Sequence, residues 1–266
     1  MSDVGEINLE ALTRGGTPEA ETLARAISLS ENGEISEAQR GAISERNSQL
    51  PIAMRERIGI TGSPGVGKST LTGVLIGAYR ALGRNVAVLA VDPSSVITGG
   101  ALLGDRIRMH DHYLDSGVFI RSMSARGHLG GLSVATPIAA QLCALAGFSP
   151  VLIETVGVGQ SEVEVMSHVD TTLVVLAPGA GDDIQSAKAG IMEIADIFII
   201  NKVDRDRAGA EKLRQEILRS QEISIRADGW KAPVLLVSAL DREGIPEVLN
   251  SINEYQKFIA HLNNEG

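Results

Sequence analysis

Eight consecutive residues, Gly62-Ser63-Pro64-Gly65-Val66-Gly67-Lys68-Ser69, carry the densest chemistry in the chain. They fit the pattern Gly-x-x-x-x-Gly-Lys-Ser, set between a short apolar run and a helical stretch. Glycines let successive backbone amides face a phosphate without obstruction by side chains. Lys68 adds a point charge for the outer phosphates, and the Ser69 hydroxyl is a ligand for Mg²⁺. Thr70 follows directly and is counted with the binding stretch. A nucleoside triphosphate is the expected ligand.

The base is read further along. Asn201-Lys202-Val203-Asp204 follows the apolar run Ile-Phe-Ile-Ile. The Asp204 carboxylate can accept from both the ring N–H and the exocyclic amine of guanine, whereas adenine offers no such pair at that edge. A polar site left unpaired by the wrong base is costly, so such a site discriminates strongly. The Lys202 stem is expected to cover the ring face and Asn201 to brace the loop. Ser238-Ala239-Leu240 follows another apolar run, and the Ala239 backbone N–H could reach the guanine O6. Together these stretches read GTP and GDP rather than ATP.

Metal and hydrolysis residues are sought at other strand ends. In "LIETVGVGQ", Glu154 and Gly157 have the spacing of Asp-x-x-Gly with Glu in place of Asp. Glu154 could hold Mg²⁺ through water, and the Gly157 amide could sense the γ-phosphate. Asp92 in "AVDPSS" and Asp105 in "LLGDRIRM" are further acids, each open also to a helix- or turn-capping role. Val158 stands where many small GTPases carry a water-orienting glutamine, and Gln160 lies at a different offset. Slow intrinsic hydrolysis follows, which suits a switch.

What must position these residues is an α/β domain. Seven apolar runs, "RIGI", "VAVLAVD", "VFIRS", "VLIET", "TLVVLA", "IFIIN" and "VLLVS", alternate with longer helical segments. Apolar throughout rather than alternating, they suit parallel strands covered on both faces. Ligands then bind at the strands' carboxyl ends. There stand Gly62, Asp92, Arg121, Glu154, Pro178, Asn201 and Ser238. Residues 1–51 read as a helical arm, with Thr17-Pro18-Glu19 as the first helix start, Leu23 and Ile27 at helical spacing, and a second helix over 35–50. Residues 52–266 read as the nucleotide-binding domain.

Composition limits the partners. The 266 residues are 44% hydrophobic and only 3% aromatic, with a net charge of −9. That argues against nucleic acid and anionic membrane surfaces. The first residues lack the apolar stretch of a signal peptide, and no apolar run approaches a membrane span, so the expectation is a cytoplasmic protein. The single cysteine, Cys143, reads as a buried small hydrophobe.

Longer motifs carry a resemblance. "GSPGVGKSTL", "VDPSSVITGGALLGDRIRM", "FIRSMSARGHLGGLS", "IETVGVGQSE", "APGAGDDIQSAKAGIMEIAD" and "NKVD", in this order, resemble the MeaB/ArgK GTPases, relatives of the methylmalonic aciduria type A protein. The resemblance runs from about Leu23 through Ser238. It implies a P-loop fold of the signal-recognition/MinD branch and a GTPase that serves an adenosylcobalamin-dependent acyl-CoA mutase. There GTP would gate cofactor loading and protect or reactivate the mutase. The client could be of methylmalonyl, isobutyryl or hydroxyisobutyryl type.

By matching position, Asp92, Asp105 and Glu154 would surround the metal and the attacking water. The stretch around Asp182, Gln185 and Lys188 resembles the family's third switch, a loop relaying nucleotide state to the mutase. Lys188 could pair with Glu154 or Asp92 in one state. Acids complementing a helix dipole are the plainer account of Asp182 and Asp183. Family members commonly continue past "EGIPEVLNSI" with a dimerisation arm, whereas this sequence stops at Gly266. A monomer, another dimer, or dependence on the partner is the expectation.

Two other readings compete. A metal-insertion GTPase of the same branch would call for a Cys/His cluster, and one cysteine with five scattered histidines does not supply it. A nucleotide-bound adaptor or transport-associated NTPase would act by binding rather than by turnover.

Overall fold

The computed structural model describes residues 6–14, 17–92, 112, 114–124, 131–155, 166–179, 193–223 and 226–265. In chain order the elements are β1 (Thr13–Arg14), β2 (Thr17–Pro18), α1 (Ala20–Glu31), α2 (Glu37–Gln49), β3 (Arg57–Thr61), α3 (Lys68–Ala81), β4 (Val86–Asp92) and β5 (Val118–Ser124). They continue with α4 (Gly131–Leu145), β6 (Val151–Thr155), β7 (Thr171–Leu176), β8 (Ile197–Ile200), α5 (Arg207–Ile223), β9 (Val234–Leu236) and α6 (Ile245–Glu265). All seven apolar runs form strands of parallel sheet. The chain divides into two compact units, Met1–Ile58 with Ile76–Gly157, and Gly59–Leu75 with Val158–Gly266.

In the first unit the strand order is β5-β4-β6, and both pairings are parallel. Ala90 stands beside Glu154 and Val91 beside Thr155, so β4 and β6 bring their last residues to one edge. Helix α1 buries Leu23, Ala26, Ile27 and Ser30, a three-and-four spacing that makes one apolar stripe. Helix α2 starts at a capping box. The Gln39 N–H donates to Ser36 Oγ at 3.2 Å, and the Ser36 N–H donates to Gln39 Oε1 at 3.1 Å. Both helices pack on α4, where Asn47 Nδ2 donates to the Gln141 carbonyl and Ser44 Oγ to Gln141 Oε1.

The expected start of α1 differs. Thr17 and Pro18 pair antiparallel with Thr13 and Arg14 as β2, and α1 begins at Ala20 with Glu19 at the cap position making no side-chain cap bond. Pairing claims Thr17 for β2, so Glu19 and not Thr17 stands at the cap position of α1.

Charged pairs fasten the periphery of this unit. Arg121, on β5, donates to the Ala24 carbonyl at 3.0 Å and to Ser28 Oγ at 2.8 Å, and it pairs with the buried Glu31 carboxylate. Arg84 pairs with buried Glu56 at 2.7 Å. Arg80 grips Asp115 through two nitrogens, at 2.8 and 2.9 Å. That guanidinium, helped by the Gly117 N–H, holds the Asp115 carboxyl below the usual carboxylate range. Cys143 is fully buried, and burial pushes its thiol pKa up.

In the second unit the order is β3-β7-β8-β9, with β7-β8 and β8-β9 parallel. Val174, Phe198, Ile200, Ala210, Leu213, Ile217 and Val234 form one core between these strands and α5. At the amino-terminal end of β8, Asp196 accepts from the Thr172 N–H at 2.7 Å and from Arg226 Nη1 at 2.8 Å. Trp230 donates to the Asp196 carbonyl, and its ring lies against Tyr255 and Phe258 of α6 at centroid distances of 5.1 and 5.0 Å. The carboxyl-terminal end of β8 is thereby left for other work. Among the described residues, no helix is long and apolar enough to cross a membrane.

Candidate guanine-nucleotide site

The Gly62–Ser69 stretch, the Asn201–Asp204 turn and the loop after β9 all belong to the second unit. β3 ends at Thr61, the loop follows at once, and α3 begins at Lys68. This strand-loop-helix order aims the first-turn amides of α3 toward the loop, the arrangement that attracts anions.

Glycine is obligatory at two points. A Cβ on Gly62, whose φ is +140°, would lie 2.1 Å from the Val175 carbonyl oxygen on β7. A Cβ on Gly67, whose φ is +99°, would lie 2.4 Å from Asn201 Nδ2. The first glycine lets the loop leave the sheet against β7, and the second lets it meet the base-reading turn. Lys68 is buried and turns its ammonium back over the loop, donating to the Gly62 carbonyl at 2.6 Å and the Ser63 carbonyl at 3.1 Å. Ser69 is also buried, and Pro64 and Gly65 are exposed. Thr70 lies one residue on, half-buried in the first turn of α3.

Asn201 joins all three stretches. Its Nδ2 donates to the Val66 carbonyl at 3.0 Å, and its Oδ1 accepts the Ala239 N–H at 3.0 Å. Both ends of one buried amide are therefore occupied by backbone from partners 135 and 38 residues away in sequence. The Ala239 N–H is thus already engaged, and it would meet a base carbonyl only as a shared donor. Lys202 adopts φ +66° and donates to the Gly65 carbonyl, which lays its stem along the phosphate loop.

Asp204 stands exposed at the turn and accepts from Ser238 Oγ at 2.9 Å. Ser238 is fully buried, while Leu240 is exposed beyond it. The loop after β9 is closed by Ser238 and Glu243, which exchange both backbone hydrogen bonds, at 3.2 and 3.0 Å. Arg207, at the start of α5, pairs with Glu243 from outside. An exposed carboxylate on a braced turn can accept two donors from a purine edge.

Sequence reasoning passed over three members of this arrangement. Asp241 turns its N–H onto Ser238 Oγ at 3.1 Å, and its carboxylate lies 3.0 Å from the same oxygen. The Ser-x-x-Asp spacing of a side-chain turn was the available signal. Arg207 and Glu243, 36 residues apart, leave no pattern in the sequence.

The remaining site expectations fall elsewhere. Glu154 is 2% exposed at the carboxyl end of β6, and Asp92 is the last residue of β4, both in the first unit. Asp105, Gly157, Asp182, Gln185 and Lys188 lie outside the described residues. The stretch leading to the last three is described through Gly179, which turns at φ +84° directly after Pro178. Taken one by one, the Ser69 hydroxyl of the second unit and the Asp92 and Glu154 carboxylates of the first are by residue type hard oxygen donors, the kind Mg²⁺ takes.

Comparison with known proteins agrees with these motifs. A protein named as a provisional GTPase in Pyrococcus abyssi is 49% identical over 203 residues, 76% of this chain and 63% of its own length. The mouse protein called methylmalonic aciduria type A homolog, mitochondrial, is 39% identical over 213 residues, 79% of this chain and 51% of its own. The chain thus spans less than two thirds of the length of these relatives. The crystal structure titled LAO/AO transport system kinase superposes with a TM-score of 0.71 at 31% identity, covering 98% of this chain and 78% of that one. The family model described as methylmalonyl Co-A mutase-associated GTPase MeaB matches residues 23–265, and the chain belongs to that family.

Proposed function

We propose that this protein binds GTP, hydrolyses it to GDP and phosphate with Mg²⁺, and serves as a chaperone for an adenosylcobalamin-dependent acyl-CoA mutase. The observation that carries the nucleotide part is the double use of Asn201, which ties the phosphate loop to the base-reading loop through Val66 and Ala239. Phosphate and base recognition then form one preorganised unit, so little ordering is left for binding to drive. Support for the mutase comes from the family description.

In this reading Lys68 exchanges its bonds to the Gly62 and Ser63 carbonyls for the outer phosphate oxygens. Asp204, braced by Ser238, accepts the two guanine donors. Lys202 covers one face of the ring, and Leu240, exposed beside Ala239, offers apolar contact near the base. Ser69, with Asp92, Asp105 and Glu154, would hold Mg²⁺. The ion would neutralise charge on the phosphates when bound. Water attacks the γ-phosphorus and the bond to the β-γ bridging oxygen breaks, giving GDP and inorganic phosphate. Gly157 would report the γ-phosphate, and Asp182, Gln185 and Lys188 would relay nucleotide state to the mutase.

Steady-state GTP hydrolysis, alone and with increasing purified acyl-CoA mutases of methylmalonyl, isobutyryl and hydroxyisobutyryl type, tests this reading. The expected result is slow turnover that one mutase raises saturably. Tight GTP binding with a rate unmoved by any of the three would favour an adaptor that acts by binding.

A further inference from the structure

We propose that Asp241, which lies outside the three recognition stretches, is a positioning residue that tunes guanine reading by competing with Asp204 for the single proton of Ser238. The inference rests on the guanine reading of Asp204 given above.

Ser238 Oγ has three polar neighbours. It accepts the Asp241 N–H at 3.1 Å, and two carboxylate oxygens lie within donor reach, Asp204 Oδ1 at 2.9 Å and Asp241 Oδ2 at 3.0 Å. A serine hydroxyl has one hydrogen to give. Carboxylates only accept, so at any instant one of the two acids receives the proton and the other does not. With the two distances so alike, neither acceptor is strongly preferred.

The two rotamers differ in consequence. With the proton on Asp204, that carboxylate is braced by a buried hydroxyl, whose own position is fixed by the closed Ser238–Glu243 loop. With the proton on Asp241, the bond closes within the loop, and Asp204 loses its brace on an exposed turn. Asp241 therefore weakens guanine reading by occupying the proton that would order the reading group.

Removing the competing carboxylate while keeping the backbone N–H should commit the hydroxyl to Asp204. If the proton is shared about evenly, the braced fraction rises from roughly one half toward one, and GDP affinity rises by about twofold. Asp241→Ala is the clean variant. Asp241→Asn removes the charge but retains an acceptor oxygen, so it should stay near the parent protein. A purely electrostatic effect would instead make the Asn and Ala variants alike.

The experiment is calorimetric titration of the full chain and its variants with GDP and with ADP. For Asp241→Ala the expected result is a GDP Kd lowered about twofold, an unchanged ADP Kd, and no gain when Ser238→Ala is also present. An unchanged or weaker GDP affinity overturns the inference. So does an equal gain in the Ser238→Ala background, or an Asn variant that behaves like Ala. If the parent protein does not prefer GDP to ADP, the guanine reading itself fails and takes this inference with it. If it does prefer GDP and the variants are inert, only the role of Asp241 is lost.

Discussion

The candidate site of the second unit and the helix-pinning contacts of the first use polar side chains differently. At the site in the second unit, the side chains of Asn201 and Ser238 tie together loops far apart in sequence, and Asp204, which Ser238 braces, lies on an exposed turn where a ligand can reach it. Asn201 joins Val66 to Ala239, and Ser238 braces Asp204. In the first, charged pairs pin helices and loops, with their carboxylates deeply buried at Glu31 and Glu56. Arg121 shows the difference well. The sequence run Val-Phe-Ile-Arg-Ser places it at a strand end, but β5 continues to Ser124, so Arg121 sits at mid-strand and both of its Nη nitrogens are taken by α1. A polar residue in an apolar run is a site candidate only if its donors are left for a ligand.

Breaking one member of each region should therefore give different signatures. Asp204→Ala removes the acceptor for both guanine donors, each bond worth ~1.5–3 kcal/mol when the acceptor is charged. GDP affinity should fall roughly a hundredfold to ten-thousandfold, with the melting temperature nearly unchanged. Calorimetry beside a thermal melt reads both. A large loss of stability would mean Asp204 is structural, and the contrast between the units would blur.

Arg121→Ala should do the reverse. It leaves the Glu31 carboxylate, only 3% exposed, without its cation, and stranding a buried charge costs ~3–5 kcal/mol. Chemical denaturation should show that loss, whereas GDP affinity measured well below the transition should hold. A fall in GDP affinity without destabilisation would restore Arg121 to the functional set.

Gly67→Ala tests the join itself and should affect both quantities less strongly. The new methyl meets Asn201 Nδ2 in a left-handed backbone conformation, a strain of roughly 1–3 kcal/mol. Stability and GDP affinity should both drop. An effect confined to stability would mean the Asn201 link does not organise the phosphate loop for binding.

Much of this was legible in the sequence, for physical reasons. Strands buried on both faces read as unbroken apolar runs, and "VAVLAVD" and "VLIET" match β4 and β6 residue for residue. The phosphate loop was legible because its chemistry demands glycines and a lysine at fixed offsets. What escaped was long-range pairing. Nothing in the local sequence couples Arg207 to Glu243, or Arg121 to a helix 90 residues earlier. Thr17 misled because a two-residue strand pairing, invisible to periodicity, claimed it before α1 could. Asp241 falls one residue past Ser238-Ala239-Leu240, the tripeptide that carries the base-reading pattern, and its tie to Ser238 is a side-chain contact that the pattern does not mark.

The central claim is that three tied stretches of the second unit make a preorganised guanine-nucleotide site. Titrating the protein with GDP and ADP under identical salt and Mg²⁺ tests it most directly. The account predicts GDP binding at least about a hundredfold tighter, the margin expected when a site built to pair a ligand's donors meets one that lacks them. Equal affinities for the two nucleotides would contradict it.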